Sequence, residues 1–348
     1  MPASQIDRRQ FLIHSGSVLG AGLLAPGVAS AIAAASQPSP RDVTFFIASD
    51  THYGLSQIED NEKLNKDAIQ ILNHLAGAAF PNQEFGTVPE PRAVLVPGDL
   101  TDSSKPENFR GFAKLIVGPH VDGYVDDFPI NGANGGRGGK PGTAHQLKYP
   151  VIESFGNHDI RNNHDDSHKI TRTVIDGIIA RNKQSNLKRD FCPDHLHSAW
   201  DWDDVRFINV NLYPGGPGDA RDSLSFLKTD LAKNVGKSRR PVVIIQHYGF
   251  DEFSRESRWW TDAQRSVYHD TIKSFNVVAI FSGHQHWADR VMWNDIPDYI
   301  LPRAQGDNGT DGVYAVRMMD RKMIVAHRRL SGVWDNVWTR DLPARVEA

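Results

Sequence analysis

The chain has 348 residues, the length of one large domain or two smaller ones. Hydrophobic residues make up 39% and charged residues 23%, an ordinary balance for a soluble globular protein. Net charge is −3 with histidine neutral, so no basic excess points to nucleic acid as a partner, and the single cysteine, Cys192, excludes an intramolecular disulfide.

Residues 1–35 read as a targeting segment. Arg8-Arg9-Gln10-Phe11-Leu12 sets paired arginines ahead of Phe-Leu, a moderately apolar stretch runs from Ser17 to Val28, and small residues continue to Ala35. Ala33-Ala34-Ala35 suits a signal peptidase. The segment resembles a bacterial twin-arginine signal, with Asp7 where Ser or Thr is usual. Its uninterrupted apolar stretch falls short of the ~20 residues a bilayer span needs. The resemblance implies the twin-arginine export machinery as a partner, a periplasmic or secreted location, and no stable membrane span in the mature protein. Without residues 1–35, which carry Asp7, Arg8 and Arg9, the net charge is −4. Residues 36–41 then read as a Pro/Ser-rich linker and residues 42–348 as one domain.

Within that domain, strand and helix patterns alternate. The run Phe45–Ser49 leads into Asp50, with His52 two residues on. Leu64, Ala68, Ile69, Leu72 and Leu75 have helical spacing. Val94–Gly98 leads into Asp99, and Val151–Gly156 leads into Asn157-His158-Asp159. Between these two lies the glycine-rich segment 131–142, which has no strand before it and no helix after it. It is therefore a surface loop and not a phosphate cradle. Helical spacing returns at Ile170, Val174 and Ile178, and again at Leu224, Leu227 and Leu231. Val205–Leu212 alternates as a strand, Val242–Gln246 leads into His247, and Val278–Gly283 leads into His284-Gln285-His286. Residues 312–317 and 323–328 predict an antiparallel hairpin about Asp320-Arg321. Ligands of open α/β sheets collect outside the carboxyl ends of strands. Five apolar runs ending in Asp, Asn or His therefore predict one convergent metal site.

The motifs Asp50-Thr51-His52, Gly98-Asp99-Leu100-Thr101-Asp102, Gly156-Asn157-His158-Asp159, Gln246-His247 and Gly283-His284-Gln285-His286 stand in this order. Together they resemble the calcineurin-like metallophosphoesterase superfamily over most of residues 42–330. That resemblance implies an α/β fold of four αββα layers, with two mixed β-sheets packed face to face and flanked by helices. It implies two divalent or mixed-valence transition metal ions, with Mn, Zn and Fe all open. One ion would be held by Asp50, His52, Asp99 and His286, and the other by Asp99, Asn157, His247 and His284. Asp99 would bridge them, since a carboxylate has two oxygens. The implied reaction is attack of a metal-bound hydroxide on phosphorus. The resemblance makes His158 the general acid, with Asp159 holding its tautomer.

Other residues are less decisive. Asp102 reads as a local cap or a partner of a ligand. Arg161 and His164 are candidate substrate contacts, and His164-Asp165-Asp166-Ser167-His168 also fits the acidic opening of a helix. Cys192, His195 and His197 fit a surface hairpin better than a zinc site with one thiol. Trp259-Trp260, Trp287 and Tyr248 fit either a substrate cleft or the core. The short sequence after His286 argues against a 5′-nucleotidase-type substrate domain, and Leu100-Thr101-Asp102 lacks the tyrosine ligand of purple acid phosphatases. The expected substrate is a small-molecule or lipid-headgroup phosphate ester. A phosphomonoesterase is the first reading. A phosphodiesterase acting on a cyclic nucleotide, glycerophosphodiester or lipid headgroup is the alternative. A catalytically silent phosphate- or partner-binding protein is the reading from another class.

Overall fold

A computed structural model describes residues 40–55, 61–102, 124–133, 146–159, 176–192, 196–211, 224–256, 259–304 and 311–343. The expected export segment lies outside these residues, as do residues 36–39 of the expected linker. Arg41, the last residue of that linker, is instead built into the fold. It is buried, and its Nε and Nη2 each donate at 2.7 Å to one carboxylate oxygen of Asp204.

In chain order the strands are β1 Asp42–Ile47, β2 Val94–Val96, β3 Val151–Glu153, β4 Asp190–Phe191, β5 Ser198–Trp202, β6 Val205–Asn209, β7 Val242–Gln246, β8 Val277–His286, β9 Asp289–Trp293, β10 Ile296–Pro302, β11 Val313–Met319, β12 Lys322–Arg328 and β13 Trp334–Asp341. The helices used below are α1 Asn61–Leu75, α2 Leu224–Asp230, α3 Glu252–Glu256 and α4 Asp262–Ile272. One sheet has the order β13-β12-β11-β1-β2-β3 and the other β4-β5-β6-β7-β8-β10-β9. Both are mixed. β1, β2 and β3 are mutually parallel and β11 is antiparallel to β1. β6, β7, β8 and β10 are parallel neighbours, with antiparallel pairs at either flank. The hairpin about Asp320-Arg321 forms as β11–β12, pairing Val313 with Arg328 and Met318 with Met323.

Alternation along each strand divides its side chains between two cores. In β1, Val43, Phe45 and Ile47 face the second sheet, where they share a cluster with Phe207, Val243, Ile245, Phe281 and Tyr299. Phe46 faces the other way, onto Ala68, Ile69 and Leu72 of α1. In β7, Val243 and Ile245 face the first sheet, while Val242 and Ile244 pack beneath Leu227 of α2 and Tyr268 and Ile272 of α4. Helix, sheet, sheet and helix are thus stacked through three apolar layers, the four-layer α/β arrangement expected. The predicted strand Val205–Leu212 is shorter than its pattern. The strand ends at Asn209, backbone bonds to β7 and His247 continue to Asn211, whose φ is 53°, and Leu212 lies outside the described residues. α4 begins at a capping box: Thr261 Oγ1 accepts from Gln264 N at 3.2 Å, and Gln264 Oε1 accepts from Thr261 N at 2.7 Å. Among the described residues, no helix is long and apolar enough to cross a membrane.

Candidate metal centre

The chain leaves β1, β2 and β3 at the same edge of one sheet, and β7 and β8 at the facing edge of the other. Asp50 and His52 follow β1, Asp99 follows β2, Asn157 and His158 follow β3, and His247 follows β7. β8 differs from its sequence reading, because the strand continues to His286 instead of stopping at Gly283. Alternation then sets His284 and His286 on one side and Gln285 on the other, where Gln285 Nε2 donates to Ser254 Oγ of α3 at 2.8 Å. Two asparagines of α1 steady the first loop. Asn61 Nδ2 donates to the carbonyl of His52 at 2.9 Å, and Asn65 Nδ2 to that of Thr51 at 2.8 Å. Nothing in their helical spacing marked them for this task.

All seven predicted ligands come together. Asp50, His52, Asp99 and His286 bring one donor atom each within 4.8 Å of one another, and so do Asp99, His247 and His284. Asn157 joins the second group, its Oδ1 3.0 Å from His247 Nε2. Asp99 belongs to both, as expected of a bridge, and the oxygen nearest both groups is Oδ2. Its Oδ1 accepts the amide of His158 at 2.8 Å. Its Oδ2 lies 3.2 Å from His247 Nε2 and 3.7 Å from His52 Nε2.

The residues fit a pair of metal ions by a direct test. Asp99 Oδ2 and His284 Nε2 are buried without a hydrogen-bond partner. His52 Nε2 and His286 Nε2 face each other at 3.0 Å. Buried polar atoms without partners are costly unless something else satisfies them. Nitrogen and oxygen donors in this mixture suit Zn, Mn or Fe.

The backbone carries strain at the same place. Asp50, His52, Asp99, His284 and His286 have φ of 52°, 42°, 49°, 73° and 63°. That region is unfavourable for residues with a Cβ, at about 1–3 kcal/mol each. After β1 and β2 it turns the chain sharply at Asp50, His52 and Asp99, and in β8 it bends the last residues of the strand at His284 and His286. Close approach of the loops is required as well. A Cβ on Gly98 would stand 2.5 Å from Gly156 N, and one on Gly156 would overlap the Asp99 carboxylate.

Electrostatics divide the donors into neutral and charged. Burial holds the His52 imidazole down at about 4 and that of His284 at about 3, so both are neutral near pH 7. Burial opposes charge on His247 too, but Asp99 beside it lifts that imidazole to about 9. Burial would raise Asp50, yet His286 and His247 hold its carboxyl at about 2.

His158 stands at the opening, its side chain 38% exposed where most of the ligands are fully buried. The carboxylate beside it is not the expected one. Asp159 is buried, and its oxygens accept from the amides of Gly156 at 2.9 Å, Thr101 at 3.0 Å and Leu100 at 3.2 Å, and from Thr101 Oγ1 at 3.2 Å. It ties the loop after β2 to the loop after β3. Burial and the nearby Asp99 charge push it up to about 7, against the pull of those amides. Asp102 takes the position expected of Asp159: its Oδ1 is 3.5 Å from His158 Nδ1 and 3.6 Å from His52 Nδ1. The His158 Nδ1 also faces the Asp102 carbonyl.

Arg161, His164, His168 and His195 lie outside the described residues, as does the glycine-rich loop from residue 134 onward. Cys192 and His197 do lie on a hairpin, the antiparallel pair β4–β5, where Cys192 N donates to the His197 carbonyl at 2.8 Å, but the His197 side chain is buried and not at the surface, with its Nδ1 2.8 Å from Asn211 Nδ2. Trp260 is core, its Nε1 donating to the Gly249 carbonyl at 3.1 Å. Trp259 is at the site, its ring centroid 3.8 Å from that of His284.

Two facing mixed sheets with a paired Asp/His/Asn centre at their shared edge define a dinuclear hydrolase of the phosphoesterase class. The calcineurin-like phosphoesterase family matches residues 43–288, and the chain belongs to that family. It is a metal-dependent phosphoric ester hydrolase. Curated protein sequences offer no match. Among solved structures, a dimetal phosphatase from Danio rerio superposes with a TM-score of 0.50 at 11% identity, over 85% of this chain and 98% of that one. A purple acid phosphatase from yellow lupin (Lupinus luteus) gives 0.53 at 11% identity, over 86% of this chain and 53% of that one. PhoD gives 0.50 at 11% identity, over 88% of this chain and 72% of that one. At these identities the likeness is one of fold.

Proposed function

We propose that this chain hydrolyses small phosphate esters, with monoesters its first substrates and diesters the alternative. Asp50, His52, Asp99 and His286 would hold one ion, and Asp99, Asn157, His247 and His284 the other. The observation that carries the reading is Asp99 Oδ2, buried without a hydrogen bond and set between two imidazoles, 3.2 Å from His247 Nε2 and 3.7 Å from His52 Nε2. When bound, the ions supply Lewis acidity, which acidifies water and neutralises phosphoryl charge. The protein's part is to fix seven donors, with Asp50, His52, Asp99 and His247 buried, and to leave His158 exposed to substrate. His158 would give its proton to the departing oxygen as the ester bond breaks, and Asp102 would orient the ring through Nδ1. A panel of mono- and diesters, assayed on protein reconstituted separately with Mn, Zn and Fe, decides the matter. Turnover of monoesters above diesters is expected. Metal-loaded protein that turns over neither would instead be a phosphate-binding relative.

Export through the twin-arginine route is part of the same proposal and rests on Arg8-Arg9 ahead of a modest apolar stretch. Exchanging both arginines for lysine should retain the enzyme, active, in the cytoplasm of a host with that translocase. Undiminished extracytoplasmic activity would remove this part.

A further inference from the structure

The flank of the centre at His284 is walled by aromatic rings. Trp259 meets His284 edge to face, with centroids 3.8 Å apart and planes at 73°. Tyr248 stacks on Trp259 from behind at 5.6 Å and 19°. Phe253 of α3 meets Trp259 at 5.3 Å and continues to Trp287 at 6.4 Å. Trp287 follows His286 directly in the chain, and the His286 side chain is itself 32% exposed. Trp259, Phe253 and Trp287 thus form an arc that begins on one ligand of the centre, His284, and runs outward to the exposed Trp287.

This arc is not a piece of core. Phe253 is 52% exposed and Trp287 38% exposed, and among the described residues no other aromatic side chain is this open. The neighbouring Trp260 shows the contrast: it is 1% exposed, hydrogen-bonded and packed on Phe250. Exposed apolar surface that is contiguous and adjoins a polar centre marks a place where a ligand lies. Rings offer faces and edges to another flat ring, in stacked or edge-to-face contact.

We infer that the Trp259–Phe253–Trp287 arc receives the organic part of the substrate, and that this part is a flat aromatic group. The inference rests on the phosphoesterase reading of the centre and narrows it to esters of aromatic alcohols or of alcohols carrying a planar ring. The arc acts on binding and leaves bond breaking to the centre, so its effect belongs in KM and in inhibitor affinity.

Phosphonates test this without the confounding effect of leaving-group basicity, because their P–C bond is not hydrolysed. Methylphosphonate, cyclohexylmethylphosphonate and 2-naphthylmethylphosphonate are titrated calorimetrically into metal-loaded protein and assayed as competitive inhibitors. The naphthyl compound should bind about tenfold tighter than the cyclohexyl one, the scale of a stacked aromatic contact. Phe253→Ala and Trp287→Ala, at partly exposed positions outside the donor set, should each cut the naphthyl-to-methyl ratio severalfold with metal content retained. Equal binding of the naphthyl and cyclohexyl compounds overturns the flat-ring specificity. A ratio unmoved in both variants overturns the arc as its source. If methylphosphonate binds and esters turn over while ring preference is missing, only this inference fails. If neither happens, the phosphoesterase reading falls with it.

Discussion

Asp99→Ala is expected to strip both ions from the protein and abolish turnover. Asp99 is common to both donor groups, and its oxygen nearest both is Oδ2. Removing that atom takes a ligand from each ion at once. Loss of a residue that merely supports a ligand already weakens metal binding about 10–100-fold. Loss of the shared ligand should exceed that. The alanine variant also frees the His158 amide from Oδ1, so Asp99→Asn is the sharper comparison. It keeps an oxygen for that amide and replaces Oδ2 with an NH2 group that cannot bind metal. Elemental analysis after gel filtration, with circular dichroism to verify folding, gives the answer. Two ions per folded chain in Asp99→Asn would show that the centre does not depend on this oxygen.

The second large effect concerns the leaving group. His158→Ala should retain its metal and keep appreciable activity on nitrophenyl esters, yet lose on the order of 10²-fold more on alkyl esters. A nitrophenolate departs unaided, whereas an alkoxide needs a proton. The exposed imidazole, turned toward Asp102 through Nδ1, is placed to deliver one from its other nitrogen. The experiment compares kcat/KM for both ester types in wild type and variant, alongside metal content. An equal fractional loss on both, with metal retained, would reassign His158 to positioning substrate or stabilising charge.

The parts of this protein that could be read from sequence were local ones. An apolar run of β-branched and aromatic residues ending in Asp, Asn or His is written in a few consecutive positions. β1, β2, β3, β7 and β8 all announced themselves so, and the seven donors with them. The hairpin β11–β12 was legible for the same reason. What failed was inference from adjacency. Asp159 follows His158, which suggested a pair, but successive side chains in this turn diverge and Asp159 is buried on backbone amides instead. Asp102, 56 residues away from His158 in sequence, is the carboxylate at its ring. Trp259 and Trp260 are likewise neighbours with opposite fates, one against His284 and one in the core. β9 and β13 were missed because Asp289–Trp293 and Trp334–Asp341 are half-exposed strands with many polar residues. Phe253 gave no signal, since a lone Phe between charged residues has no period to betray it.

The donors are drawn from both sheets: Asp50, His52, Asp99 and Asn157 extend from one, and His247, His284 and His286 from the other. The interface between those sheets is built from side chains such as Phe45, Phe207 and Phe281, whose close packing sets how the two edges align. Ions held jointly by Asp50, His52, Asp99 and Asn157 from one sheet and His247, His284 and His286 from the other would tie the two edges together. Shear of one sheet over the other by even part of a residue spacing would separate the two halves of the donor set. Metal loading would therefore be sensitive to the alignment of the sandwich. Any mutation that loosens the apolar seam, however far from the catalytic edge, would be felt as weakened grip on metal.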